Sequence, residues 1–260
     1  MQRVRIMLKS GNDLIARDEV AAVSESAFSH FAKSPPSQHE VSLIRSAKNP
    51  QIGWPERVDS KSARAGNFAI ALLLIVLLAP VLLVISLLIM ASDRGPVLFR
   101  HQRVGKDGKS FACLKFRTMR VDSEVILQRL LNECRERQHE WLKTRKLEDD
   151  PRVTRLGKVL RITSLDELPQ LFNVAAGHMN MVGPRPIVHE ELAYYGRYVG
   201  HYLSVKPGLT GIWQVSGRSL LSYRRRVAAD VLYVRRRSFA LDLYIALATV
   251  PAVIFARGSI

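Results

Sequence analysis

Residues 161 to 174, RITSLDELPQLFNV, place two adjacent carboxylates, Asp166 and Glu167, in a chain whose formal net charge is +16. The plainest reading is a capped helix. Ser164 at the N-cap and Glu167 three residues later would make an S-x-x-E capping box, and acids are favourable near a helix N-terminus. Pro169 speaks against that cap. With Ser164 as cap, Pro169 would be the fifth helical residue and would lack the N–H that should bond to Leu165. A cap at Leu165 or Asp166 keeps the proline among the first four positions, which have no intrahelical partner to lose. The two acids then stand as exposed groups at the start of a helix within 164 to 176. A helix N-terminus attracts phosphate, Arg161 lies just upstream, and Arg185 is held between two prolines in GPRP. Fixed guanidinium forks suit phosphate oxygens. A carboxylate pair beside them could bind a divalent cation on a phosphorylated substrate, or one acid could attack phosphorus. Structural ion pairing accounts for the same residues, and both readings stay open at this point.

Upstream lies FAIALLLIVLLAPVLLVISLLIMA, residues 68 to 91, which has no charge and one hydroxyl, Ser86. Such a run must meet lipid. As a straight helix it would reach about 36 Å, enough to cross a hydrocarbon core of about 30 Å. Pro80 near its middle favours a kink. Basic residues flank both ends, Lys61 and Arg64 before it and Arg94, Arg100 and Arg103 after it. A straight span would leave one basic cluster on the wrong face, whereas a helix that enters, bends at Pro80 and returns satisfies both. From these residues alone, span and re-entrant hairpin both remain. Residues 1 to 60, polar and interrupted by Pro35, Pro36, Pro50 and Pro55, read as a largely disordered tail.

The remainder, residues 93 to 260, reads as one α+β domain. Short apolar runs broken by GKDG predict a β-hairpin between residues 95 and 119. Residues 122 to 148 predict a charged helix packed through Val125, Leu127, Leu130, Leu131 and Trp141. Residues 186 to 203 read as helix, and KPGLTG as a loop. Two arginine triplets, Arg224 to Arg226 and Arg235 to Arg237, would share one side of a single helix. LDLYIALATVPAVIFA near the end is either a surface lying on a membrane or a buried core helix. The excess of 39 Lys and Arg over 23 Asp and Glu suits polyanions, including anionic lipid and phosphorylated substrates. Cys113 and Cys134 have no zinc spacing and fit reduced, cytosol-facing thiols. None of the seven histidines falls in a metal motif. A Walker A loop and a G-x-G-x-x-G are absent. No zinc-finger or RNP pattern supports nucleic-acid binding.

The succession GPVLF, KFRTM, SLDELPQLFNV, MVGPRP, KPGLTGIWQVSGR and DVLYV resembles the bacterial sugar transferase family, the monotopic polyprenyl-phosphate phosphoglycosyl transferases. The resemblance covers about residues 61 to 260. It is strongest to the enzymes that prime rhizobial exopolysaccharide of the succinoglycan type, through TRKLEDDPRVT, TVPAV and ARGS. It implies a re-entrant helix hairpin broken at Pro80 within 61 to 92. It further implies a small, mostly helical catalytic domain with a short β-hairpin and interfacial amphipathic helices, on the cytoplasmic face of the bacterial inner membrane. It implies transfer of hexose 1-phosphate, galactose before glucose, from a UDP-hexose to undecaprenyl phosphate with release of UMP. Asp166 would be the nucleophile and Glu167 the partner acid that holds Mg²⁺. Arg161 would lie near the lipid phosphate, Arg185 at the phosphate site and Arg218 at the nucleotide-side loop, with Lys115 and Asp230 matching further substrate-site positions. Ala79 replaces a frequent serine before the proline, His178 a frequent acid and Leu232 a frequent tyrosine. Direct attack by the lipid phosphate in a ternary complex is the other route to the same products. A non-catalytic basic membrane adaptor is the reading from a different class.

Overall fold

The computed structural model describes residues 61–144, 147, 149–216 and 221–254. The expected tail, 1 to 60, and the expected site residue Arg218 lie outside them. Among the described residues the chain is mixed helix and strand, as the sequence predicts.

Helix α1, Lys61–Ser92, runs through Pro80 without interruption, so the expected break is not seen as a gap in the helix. At 1.5 Å per residue its 32 residues extend about 48 Å, and it is long and apolar enough to cross a membrane. Of its side chains only Ala71, Ile85 and Ile89 are buried. Leu73, Val76 and Leu77 are 66 to 68% exposed. The buried ones mark two anchor points. Near the start, Ala71 packs with Phe111, Cys113, Val174 and Met179, and the Asn67 side-chain oxygen accepts a 2.7 Å bond from the Met181 amide. Near the end, Ile85 and Ile89 pack with Phe116 and Leu160. Ala71 and Ile85 are about 21 Å apart along the helix, and Phe111 and Phe116 about 17 Å apart along their strand. Helix α1 therefore lies lengthwise on the rest of the molecule.

Strands β1, Leu98–Val104, and β2, Ser110–Phe116, pair antiparallel from Leu98 opposite Phe116 to Val104 opposite Ser110. The expected hairpin is present. Its turn needs left-handed backbone at Asp107, φ 59°, and Gly108, φ 75°, which aspartate tolerates and glycine adopts at no steric cost. Helices α2, Ser123–Glu133, and α3, Arg135–Thr144, replace the single helix expected over 122 to 148, because Cys134 is extended at φ −130°, ψ 107°. Of the expected packed face only Leu127 is buried; Val125 is 62% exposed.

Helix α4, Arg155–Thr163, is capped by Thr154, whose hydroxyl accepts the Gly157 amide at 2.9 Å. A side chain at Gly157 would meet the Thr118 carbonyl oxygen at 2.0 Å, so the helix can sit against that backbone only with glycine there. Ser164 ends α4 in the left-handed region, φ 59°. A 3-10 turn, Leu165–Glu167, follows, and Pro169 is the N-cap of α5, Gln170–Ala175. Ser164 makes no capping box, as Pro169 led the sequence to expect. One part of the sequence reading is corrected: the two acids lie in a tight turn between helices rather than at the first turn of an α-helix. Asn173 on α5 accepts the Leu114 amide at 2.8 Å and donates to the Ala112 carbonyl at 2.7 Å, tying this segment to β2.

Strand β3, Asn180–Val182, pairs in parallel with β4, Gly208–Thr210, inside the segment expected as a loop. Between them the expected helix over 186 to 203 is mostly a kinked 3-10 stretch, His189–Tyr198, followed by α6, Val199–Leu203. The chain closes with α7, Ile212–Ser216, α8, Tyr223–Arg236, and α9, Phe239–Ile254. Helix α8 carries both arginine triplets except Arg237, which ends it. On α9 Ile245 is buried, whereas Phe239, Leu247 and Val250 are exposed, so it is not a core helix.

Candidate active site

Hairpin strand β2, the Leu165–Glu167 turn and the loop after β3 converge on a cavity of about 1250 Å³. Asp166 and Glu167 lie on its wall. Lys115, projecting from β2, reaches both: its Nζ is 2.6 Å from Glu167 Oε1 and 3.9 Å from Asp166 Oδ2. Asp166 is the more buried acid, with 12% of its side chain exposed against 33% for Glu167.

The same surroundings push the two acids in opposite directions. Burial raises Asp166 above the ordinary aspartate range; Lys115 and Arg161 pull against that rise, and the neighbouring Glu167 adds to it. Burial also opposes ionisation of Glu167, but Lys115, Arg185 and Arg103 together outweigh it and hold this carboxyl below the usual range. Adjacent groups with values driven apart are suited to different roles. Glu167 is the more readily ionised of the two and Asp166 the more basic.

Cations line both sides of the pair. On one side, Arg161 in the last turn of α4 donates from Nε to Thr118 Oγ1 at 3.0 Å. Arg152 sits 5.0 Å from the Trp141 ring centroid and forms a two-point pair with Asp150 at 2.8 and 2.7 Å. On the other side, Arg185 and Arg226 rest 5.5 and 4.9 Å from the ring of Trp213. Arg226 is further held by a 3.0 Å bond from Nε to the Leu221 carbonyl. Burial and the charge of Arg185 both disfavour the protonated form of Arg226, a repulsion that an anion bound between the two would relieve. Apolar side chains complete the cavity, Ile70 and Leu74 from α1 and Ala246, Val250 and Val253 from α9.

Residues 58–256 match the model of the bacterial sugar transferase family. The chain belongs to that family. It is 47% identical over 198 residues to the exopolysaccharide production protein ExoY of Sinorhizobium fredii, covering 76% of this chain and 88% of that one. It is 44% identical over 223 residues to the protein of the same name from Rhizobium meliloti, covering 84% and 99%. Against the undecaprenyl-phosphate galactose phosphotransferase of Salmonella typhimurium the identity is 40% over 221 residues, 85% of this chain and 45% of that one.

In this sugar transferase five of the residues singled out from sequence come together: Lys115, Arg161, Asp166, Glu167 and Arg185 all line the cavity. Asp230 stands apart from its lining. It is 3% exposed, accepts a 2.7 Å bond from Tyr195, and is pushed up to about 8 by burial, against the pull of Tyr195 and Arg185. Its surroundings are those of a core hydrogen-bond link.

Five cavity arginines, Arg103, Arg117, Arg120, Arg152 and Arg226, escaped the sequence reading as site residues. Arg103, assigned to the membrane flank, instead turns inward from β1 and bonds to Glu191 at 3.4 Å and to the Pro186 carbonyl at 3.3 Å. Arg226, counted with a surface triplet, faces Trp213. Arg117 donates to the Asp93 carbonyl, and its Nη1 is buried without a hydrogen-bond partner among the described residues. Its place in KFRTM, two residues from Lys115 on the same edge, was a signal that could have found it.

Proposed function

We propose that this protein transfers hexose 1-phosphate from a UDP-hexose to undecaprenyl phosphate, releasing UMP, as the priming step of exopolysaccharide synthesis. The observation that carries this reading is the Asp166–Glu167 pair, split in basicity by its surroundings and placed among arginines in a cavity with apolar helical walls. A carboxylate attacking a diphosphate brings anion to anion, and the surrounding cations offset that repulsion. An Asp166 carboxylate oxygen attacks the β-phosphorus, the bond to the bridging oxygen breaks, and UMP leaves with that oxygen. An oxygen of the lipid phosphate then attacks the same phosphorus and frees the carboxylate. One phosphoanhydride replaces another, so the transfer is readily reversible. Galactose is the favoured hexose, supported by the named substrate of the Salmonella relative, with glucose next.

The donor set suits Mg²⁺ in one way only. Among the described residues no third His, Cys, Asp or Glu joins the pair, which fits an ion that arrives on substrate phosphates and keeps its waters rather than one caged by protein. Glu167 is the residue that would hold it, and the ion would supply further neutralisation of phosphate charge.

The two anchor points of α1 support a re-entrant placement. A helix packed lengthwise at both ends against one body cannot cross a bilayer without taking that body along. Embedding its exposed middle from the cytoplasmic side keeps Lys61, Arg64, Arg94 and Arg100 at anionic headgroups, at about 1 kcal/mol each. Residues 93 to 260 then form the catalytic domain at the membrane surface, with α9 lying in the interface.

Intact-mass measurement of the purified protein with UDP-galactose or UDP-glucose and no acceptor tests the chemistry. A hexose-phosphate adduct is expected, absent in Asp166→Asn. Rapid turnover once acceptor is added, with no adduct before it, would replace the covalent route by direct attack in a ternary complex.

A further inference from the structure

Beside the dyad lies a second, small pocket of about 30 Å³, which shares Glu167, Lys115, Arg185 and Gln214 with the main cavity. Its size admits a group or two of water dimensions. The side-chain oxygen of Gln214, on α7, is buried and has no hydrogen-bond partner among the described residues. Leaving a buried acceptor unpaired costs about 1–3 kcal/mol, so a donor brought by a ligand would recover that loss.

The chemistry of the candidate ligands selects the donor. Phosphate oxygens accept, and an ionised lipid phosphate brings no hydrogen to this position. A hexose brings donors in its hydroxyls, as does the nucleotide in its ribose and uracil, and position separates the two. During transfer the hexose is bonded through its anomeric oxygen to the phosphorus held at Asp166, so the sugar ring lies within a few bonds of the dyad, where Gln214 also is. The oxygen is held in place from both sides. The preceding residue, Trp213, is 4% exposed and has two guanidinium groups against its ring. A Cβ on Gly211 would lie 2.7 Å from the Gln214 oxygen and 2.4 Å from the Gly183 carbonyl, so the turn that aims the oxygen has no slack.

We propose that Gln214 is a specificity-determining residue that accepts a hydrogen bond from a hydroxyl of the transferred hexose. The proposal rests on the function given above. A site that pairs a substrate hydroxyl discriminates strongly against the analogue lacking it.

The experiment measures UMP release by the full-length protein in lipid nanodiscs. The donors are UDP-galactose, UDP-glucose and their monodeoxy analogues, used with native protein, Gln214→Leu and Gln214→Glu. In Gln214→Leu, kcat/KM for the preferred hexose should fall about tenfold or more, while inhibition by UMP, which has no sugar, stays within about twofold of native. One deoxy analogue should be a correspondingly poor donor for the native protein and lose little more in the variant. A parallel loss of UMP inhibition would place the contact on the nucleotide and overturn the proposal. So would unchanged kcat/KM, or losses that simply add for every deoxy analogue. Should Gln214→Leu fail to fold, as judged by UMP binding, Gln214→Glu carries the same comparison with the acceptor retained, and a preserved hexose preference is then expected. No turnover by the native protein with any UDP-hexose would sink the function itself, an outcome separate from failure of the Gln214 contact.

Discussion

Asp166 at the cavity wall and Asp230 in the tyrosine-lined core are both buried and both more basic than a free aspartate, yet the two regions differ in kind. Around Asp166 the nearest partner is a lysine at 3.9 Å, and an open cavity gives access. Around Asp230 the nearest partner is the Tyr195 hydroxyl at 2.7 Å, in a core built from Tyr195, Tyr202 and Val231. Tyr202, whose ring lies tilted 5.1 Å from that of Tyr195, ties the same core to the hairpin by donating to the Val104 carbonyl at 2.7 Å. Burial alone makes an acid basic; nearby cations and an entrance for substrate make it useful for attack. A shifted carboxyl is therefore a guide to chemistry only together with its charge partners.

The largest expected effect separates the two regions outright. Asp166→Asn should lower UMP release by about 10³-fold or more, since it removes the oxygen proposed to attack, whereas Asp230→Asn should stay within a few-fold of native in the same assay. Equal losses would erase the distinction. Next, Lys115→Met should cost about 10²-fold, the scale of one fixed electrostatic contact. Because Lys115 holds Glu167 below its usual range, its loss raises the Glu167 value. The acid limb of the pH–rate profile, where activity is lost as Glu167 takes up a proton, should then move to higher pH.

Gly157→Ala tests the support of the Asp166 side from a distance. A new Cβ 2.0 Å from the Thr118 carbonyl must push α4 away, at about 1–3 kcal/mol of stability. The melting temperature should fall by several degrees and activity with it, because Arg161 is carried on the same helix. The last test lies in the other region. Asp230 binds its proton more tightly in the folded state, pushed up to about 8, than in the unfolded chain, near 3.8. Its contribution to stability is thus complete below about pH 4 and is lost as pH rises through about 8, at up to about 1.4 kcal/mol per pH unit. Asp230→Asn should flatten that decline in melting temperature between pH 5 and 8; an unchanged slope would mean that Asp230 is not the buried acid responsible.

Local patterns in the sequence proved legible where they depend on a few neighbouring residues. GKDG marked the hairpin turn because glycine and aspartate accept left-handed backbone, and Pro169 excluded the Ser164 cap because it lacks an N–H. The split at Cys134 and the exposure of Val125 were not legible, since a charged amphipathic pattern over 122 to 148 does not say whether anything covers its apolar side. Arg103 was misplaced for a similar reason. Its distance along the chain from the apolar run suggested a membrane flank, and only the register of β1 against β2 shows that it turns toward Pro186 and Glu191.

The sequence by itself determined that an apolar helix containing Pro80 precedes a basic domain, and that adjacent acids sit near arginines and a Pro-Arg-Pro turn. Those features follow from residue type and short spacing, which the chain carries wherever it goes. Tertiary structure alone decided which charges meet. Lys115 reaches Asp166 and Glu167 across about fifty residues of chain because Asn173 ties α5 to β2. Asp230 is withdrawn among tyrosines, and Trp213 gathers two arginines beside an unpaired glutamine oxygen. The physical reason is that burial and Coulomb interaction depend on distance in space. At a few ångströms inside a protein those two effects separate the acid proposed to attack from one that holds the core together.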